Sequence, residues 1–137
     1  MSEYPELAQT VLDTTDARGL AEFYRQLLGL RYRAGDELPA DSVADDADWL
    51  VLKDKRGANV LAFQQVERLA QSTWPADDVP MQLHLDFTVS SVEELQRHRE
   101  RAEALGAQVR LDRTGHPNEP LFVFADPAGH PFCIFVA

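Results

Sequence analysis

The residues of this chain best able to do chemistry are concentrated in one stretch, Met81-Gln82-Leu83-His84-Leu85-Asp86-Phe87-Thr88-Val89. The His84 imidazole and the Asp86 carboxylate can each ligate a metal, move a proton or pair with a neighbour, and Gln82 adds an amide. Read as a strand, the stretch alternates: Gln82, His84, Asp86 and Thr88 share one face, while Met81, Leu83, Leu85, Phe87 and Val89 share the other. A strand this regular in mid-chain is expected away from a sheet rim, with its apolar side packed and its polar side lining a concavity. His84 then either contacts a ligand or is hydrogen-bonded in a wet interior. Asp86 binds a cationic or hydroxyl group, acts as a base, or pairs with a nearby Arg. The single cysteine, Cys133, stands between Phe132 and Ile134, where a thiol is more often a small buried hydrophobe than a nucleophile. The sequence places no Ser-His-Asp or Cys-His arrangement, and it has no phosphate-cradling glycine loop after a strand, CxxC or HxxxH spacing to point to another chemistry. His98 lies beside a helix stripe and reads as structural; His116 and His130 fall in turns.

The elements that position these residues follow from periodicity. Leu7 to Asp13 reads as a strand. Asp16 is an N-cap for a helix whose stripe is Leu20, Phe23, Tyr24, Leu27 and Leu28, with Gly29 as its left-handed C-cap. A short strand at Leu30 to Arg33 leads into an acidic loop between Asp36 and Asp48. The strands Trp49 to Lys53 and Asn59 to Gln64 are joined at Asp54-Lys55-Arg56-Gly57. Residues 66–80 contain Pro75 and Pro80 and read as a connector. Beyond the His84 stretch, Ser90 or Ser91 caps a second helix with Leu95, Arg99, Ala102 and Leu105 on its stripe, ended by Gly106. Strands at Ala107 to Leu111, Leu121 to Ala125 and Pro131 to Val136 complete the chain, the last two joined at Asp126-Pro127-Ala128-Gly129.

The second half repeats the first. Gln9 and His84 each precede a cap and helix, Gly29 and Gly106 each end one after a Leu, and Asp54-x-x-Gly57 matches Asp126-x-x-Gly129. The expected architecture is α+β: two βαβββ modules in pseudo-twofold arrangement forming a cupped mixed sheet. Module one spans about 5–66, the connector about 67–80 and module two about 81–137, all within one domain. With 137 residues the chain can bury an ordinary core. The balance of 13 basic to 23 acidic residues, net −10, repels phosphate backbones and anionic lipid, so neither nucleic acid nor membrane is an expected partner. One cysteine, no basic-apolar leader and no apolar run near the roughly 18 residues of a membrane helix lead to an expected cytoplasmic location.

The motifs Val11-Leu12-Asp13, Phe23-Tyr24, Leu28-Gly29-Leu30, Leu83-His84-Leu85-Asp86, Leu105-Gly106-Ala107 and Asp126-Pro127-Ala128-Gly129-His130-Pro131-Phe132 resemble the vicinal oxygen chelate superfamily, the glyoxalase, bleomycin-resistance and dioxygenase group. Leu61-Ala62-Phe63-Gln64, Trp74-Pro75 and Phe132-Cys133 resemble its glyoxalase-like subgroup. Metal-dependent members draw four ligands from the first and fourth strands of each half. By motif position these fall on Gln9, Ala62, His84 and Cys133. That set is degenerate: Ala62 has no donor, Gln9 is a weak one, and Cys133 replaces a carboxylate. No cofactor and no stoichiometric divalent metal is therefore the expectation, with a divalent metal the alternative. Gln64 and Asp86 could rescue the site, but each lies one alternation, about 7 Å, beyond the position needed.

The resemblance implies a small-molecule-binding protein that sequesters a hydrophobic or aromatic ligand, such as an antitumour antibiotic of the bleomycin or enediyne kind. The alternative is an enzyme: a metal-dependent lyase, isomerase or dioxygenase, or a metal-free isomerase with His84 or Asp86 as general base. The expected ligand-facing residues are Gln9, Trp49, Val51, Val60, Ala62, Gln64, Trp74, Gln82, His84, Asp86, Cys133 and Phe135, with Pro131 beside them. The aromatics supply stacking surfaces and His84 a polar contact. The resemblance also implies a homodimer.

Overall fold

A computed structural model describes residues 3–137, which divide into two compact units between Arg68 and Leu69. Each unit is a βαβββ module. In the first, β1 (Thr10–Thr14), α1 (Ala17–Leu28), β2 (Arg31–Tyr32), β3 (Trp49–Lys53) and β4 (Asn59–Gln65) give a four-stranded mixed sheet of order β1-β4-β3-β2. In the second, β5 (Leu85–Val89), α2 (Val92–Ala104), β6 (Gln108–Asp112), β7 (Leu121–Ala125) and β8 (Pro131–Val136) give the order β5-β8-β7-β6. In both, the first strand runs parallel to the last, and the other pairs are antiparallel.

The duplication extends to individual hydrogen bonds. The Asp54 carboxylate accepts from the Arg56 and Ala58 N–H groups at 2.9 and 3.0 Å, and the Asp126 carboxylate accepts from Ala128 and His130 at 2.8 and 3.0 Å. Each Asp thereby closes the hairpin that aligns the last two strands of its module. Gly57 and Gly129 supply the positive φ, 84° and 93°, that such a turn requires. The helix starts are equivalent as well. Asp16 caps α1 by accepting from the Gly19 N–H at 3.0 Å, and Ser91, the nearer of the two candidate serines, caps α2 by accepting from Glu94 at 3.1 Å.

Helix and sheet pack where the alternation places apolar side chains. In the first unit Leu20, Phe23, Tyr24 and Leu27 of α1 are buried, as are Leu12, Leu50, Leu52, Leu61 and Phe63 of the sheet. Gln65 ties α1 to β4: its side-chain oxygen accepts from the Ala17 N–H at 2.8 Å while its amide donates to the Thr15 carbonyl. In the second unit Leu95 and Ala102 of α2 are buried, together with Phe122, Phe124, Phe132 and Ile134. Phe132 stacks on Phe124 at 4.8 Å between ring centres.

The stretch from Met81 to Val89 departs from its expected form. Only Leu85–Val89 is strand; Gln82 is a bend, and pairing to β8 begins at Leu85 opposite Phe132. Pro80 immediately before the stretch works against an early start to the ladder. Nor is the strand central within its sheet: β5 is at one end of the order. Leu83, expected on the packed face, is 48% exposed, because the alternation that would turn it inward holds only where the ladder does. No described helix is long and apolar enough to cross a membrane.

Candidate functional site

In the second unit, β8 and β7 present alternate residues to the sheet face away from Phe132, Phe124 and Ile134. Cys133 pairs with Val123, Pro131 with Ala125, and Leu111 of β6 with Val123. Of these, Cys133, Val123, Pro131 and Leu111 floor a pocket of about 160 Å³ lined also by Trp74, Met81, His84, Arg113 and Leu121. Its walls are apolar, with Arg113, His84 and Cys133 the polar contributors. Trp74 reaches it from a closed turn in the connector: the Thr73 N–H donates to the Val79 carbonyl at 2.8 Å, and the Val79 N–H donates back to the Thr73 hydroxyl at 2.9 Å. The Trp74 N–H itself donates to the Ser72 hydroxyl at 3.2 Å.

His84 and Asp86 meet although they are two residues apart on an extended chain. His84 Nε2 is 3.3 Å from Asp86 Oδ1, and the donor atoms of His84, Asp86 and Cys133 all lie within 4.8 Å of one another. A spacing of about 7 Å separates backbone positions, but the side-chain tips lean toward each other, so the step along the strand that seemed to remove Asp86 from the site does not. Among the described residues this is the one cluster of three His, Cys, Asp or Glu side chains close enough to share an ion.

Burial, followed by the nearby negative charges of Asp86 and Glu119, pushes the Cys133 thiol up to about 11. The thiol is therefore protonated at neutral pH, in agreement with its reading as a poor nucleophile. In metal-free protein near pH 8, alkylation of Cys133 is expected to run roughly 100-fold slower than that of an ordinary free thiol, because the thiolate fraction falls tenfold per pKa unit. Asp86→Asn should speed it. A labelling rate equal to that of a free thiol would show the surrounding carboxylates and burial to be without effect.

The other sequence-selected residues divide by unit. Trp74, His84 and Cys133 line the pocket and Asp86 adjoins His84, whereas Gln82 and Phe135 are outside its wall. Phe135 shares the Cys133 face but sits opposite Leu121, one step farther along. In the first unit Gln9 accepts from the Asn59 side-chain amide at 3.0 Å, and Ala62 is fully buried. Val51 is buried and its N–H donates to the Asp36 carboxylate at 2.9 Å. Trp49 and Val60 are half-buried and Gln64 is exposed; Trp49 and Gln64 are register partners. The four positions implied by the superfamily thus lack a full set of donors: Ala62 offers none and the Gln9 carbonyl is already engaged.

Residue type and motif position do not point to Met81, Leu111, Arg113, Leu121 or Val123. Strand pairing would have found Leu111, Leu121 and Val123, since they share a face with Cys133; periodicity within each strand does not reveal which strands are neighbours. Strand alternation places Met81 on the packed face, but the chain bends at Gln82 and Met81 lines the pocket with His84. His98 is half-buried on α2, with its ring nitrogens near Arg97 at 3.1 Å and Arg101 at 2.7 Å. Burial and those cations lower its pKa.

Residues 9–135 match a family model described as a glyoxalase-like domain. No functionally curated protein matches the sequence. Among solved structures, a glyoxalase/bleomycin resistance protein/dioxygenase family enzyme from Burkholderia phytofirmans PsJN is 20% identical with a TM-score of 0.67, covering 96% of this chain and 98% of that one. The fosfomycin resistance protein FosX from Listeria monocytogenes is 16% identical with a TM-score of 0.67, covering 98% and 94%. A glyoxalase/dioxygenase from Nostoc punctiforme is 19% identical with a TM-score of 0.63, covering 96% and 90%. At these identities the likeness to the solved structures is one of fold.

Proposed function

This chain belongs to the glyoxalase-like family, and we propose that it is a small-molecule-binding protein whose second unit takes one ring-sized apolar group of its ligand. The observation that carries this reading is an apolar pocket with Trp74 on its wall and the His84–Asp86 pair beside it. The size supports a compact occupant. A volume of about 160 Å³ is close to that of a dry cavity known to hold benzene, and well below the several hundred Å³ of a pocket that encloses a drug-sized molecule. An antitumour antibiotic of the bleomycin or enediyne kind would therefore enter by one aromatic group, with most of its mass outside this pocket. A compact ligand such as a substituted single ring would fit it whole.

A second reading is an enzyme, and the closeness of His84 to Asp86 favours it: a carboxylate 3.3 Å from an imidazole nitrogen can hold the ring in one orientation, as a general base requires. One pair of measurements separates the two. Titrate chelator-treated protein carrying Trp49→Phe, so that Trp74 alone reports, with single-ring aromatics and with the antibiotics, then recover each compound. Under sequestration, quenching saturates, the compound returns unchanged, and His84→Ala weakens binding by about 1 kcal/mol, one hydrogen bond. Under general-base catalysis the compound is altered, and His84→Ala leaves affinity nearly intact while turnover falls by roughly 100-fold or more. Absence of saturable quenching across the panel would sink the binding reading.

A further inference from the structure

We infer that His84, Asp86 and Cys133 form a binding site for a zinc-class divalent cation, contained wholly in the second unit, in place of the four-position ligand set implied by the superfamily resemblance. That four-position set does not fit this chain, since Ala62 has no donor and the Gln9 carbonyl accepts from Asn59. The donors that do converge are one imidazole, one carboxylate and one thiol, with all three ligating atoms within 4.8 Å of one another. Atoms bound to one tetrahedral zinc at about 2.0–2.3 Å stand roughly 3.4–3.6 Å apart. His84 Nε2 and Asp86 Oδ1, at 3.3 Å, already have that spacing. The remaining approach is about an ångström, within reach of side-chain rotation because the His84 and Asp86 side chains are 41% and 53% exposed.

The donor chemistry selects the ion. Thiolate and imidazole suit zinc and other borderline or soft cations, whereas magnesium, calcium and manganese take mainly oxygen ligands. Three protein ligands leave one tetrahedral position open. His84 and Cys133 both line the apolar pocket, so an ion held between them lies at its wall, with its free position available to a ligand atom there. The net charge of −10 draws cations toward the protein but gives no preference among them. The preference has to come from Cys133.

This inference does not rest on ligand sequestration, because the ion needs no organic ligand and the aromatic titration uses chelated protein. Cobalt(II) is the probe: titrate it into reduced, chelator-treated full-length chain and follow the near-ultraviolet thiolate-to-cobalt charge-transfer band. The expected result is saturation at one equivalent, with the band displaced by zinc but not by magnesium. Cys133→Ser should abolish the band. His84→Ala and Asp86→Asn should each weaken cobalt binding by at least about 100-fold, since even residues that merely support a ligand contribute about 10- to 100-fold. An Asp41→Asn, Asp46→Asn variant in the exposed acidic loop should bind as wild type. Absence of one-equivalent saturation, absence of the thiolate band, displacement by magnesium, or binding that survives the His84, Asp86 and Cys133 substitutions would each overturn the site. The last of these would assign the ion to the acidic surface.

Discussion

Phe132→Ala is expected to destabilise the second unit by about 3–5 kcal/mol, the cost of removing a large core aromatic whose site cannot collapse around the loss. The ring is fully buried, stacked on Phe124 at 4.8 Å and in contact with Phe87 at 5.7 Å between ring centres. It therefore joins β8 to both of its neighbours on the helix side of the sheet. A loss of this size is a large part of the roughly 5–15 kcal/mol that holds a typical domain folded. The control is Phe135→Ala, three residues along the same strand on the opposite, half-buried face, which should cost clearly less. Denaturant midpoints of the two variants, read with their slopes, decide the matter. Equal losses would show that the two faces of β8 are not differently packed, and the assignment of the Cys133 face to the pocket would fall with them.

The repeat carried most of the fold into the sequence. Both caps, the left-handed Gly29 and the paired Asp-x-x-Gly turns are short-range features, fixed by residues within four positions of each other, and all are found where the pattern places them. Strands β3, β7 and β8 are likewise found at their expected bounds, since each has an apolar run with a turn at one end. The failures are long-range. The start of β5 depends on where β8 begins to pair with it, so the alternating pattern that runs back to Met81 overstates the strand by four residues.

The candidate site was legible in part for the same reason. His84, Cys133 and Trp74 stood out by residue type or motif position, but the pocket also needs Leu111 and Val123, which come to Cys133 only through the β6-β7-β8 register. Asp86 shows the opposite limit. Strand spacing fixed its Cα and said nothing of its carboxylate, which bends back to 3.3 Å from His84. In the first unit, alternation and motif position point to Gln9, Trp49, Val51, Val60, Ala62 and Gln64, yet there Val51 and Ala62 are buried and Gln9 accepts from Asn59. Duplication preserved the framework of caps and turns in both units. It did not preserve the donor set.

Trp74→Ala is expected to weaken binding of a single-ring aromatic ligand by about 1–3 kcal/mol, or roughly 5- to 150-fold in Kd. The loss combines ring-on-ring contact with the apolar area that the indole removes from water on one wall of a pocket of about 160 Å³. Trp49 provides the comparison, because it is a half-buried tryptophan in the first unit and not part of this pocket wall. Trp49→Ala, which removes no part of this wall, should leave affinity within about twofold. Since the substitution removes the fluorescent reporter, affinities are best taken from calorimetry, with the thermal melt of each variant compared to exclude unfolding. The ordering also tests the charge at the pocket: if the bound group is an aromatic cation, its attraction to the indole face and to Asp86 should make Trp74→Ala and Asp86→Asn both costly. A neutral ring should respond to Trp74 alone. Equal effects of Trp49→Ala and Trp74→Ala, or no effect of either, would remove the second-unit pocket as the binding site.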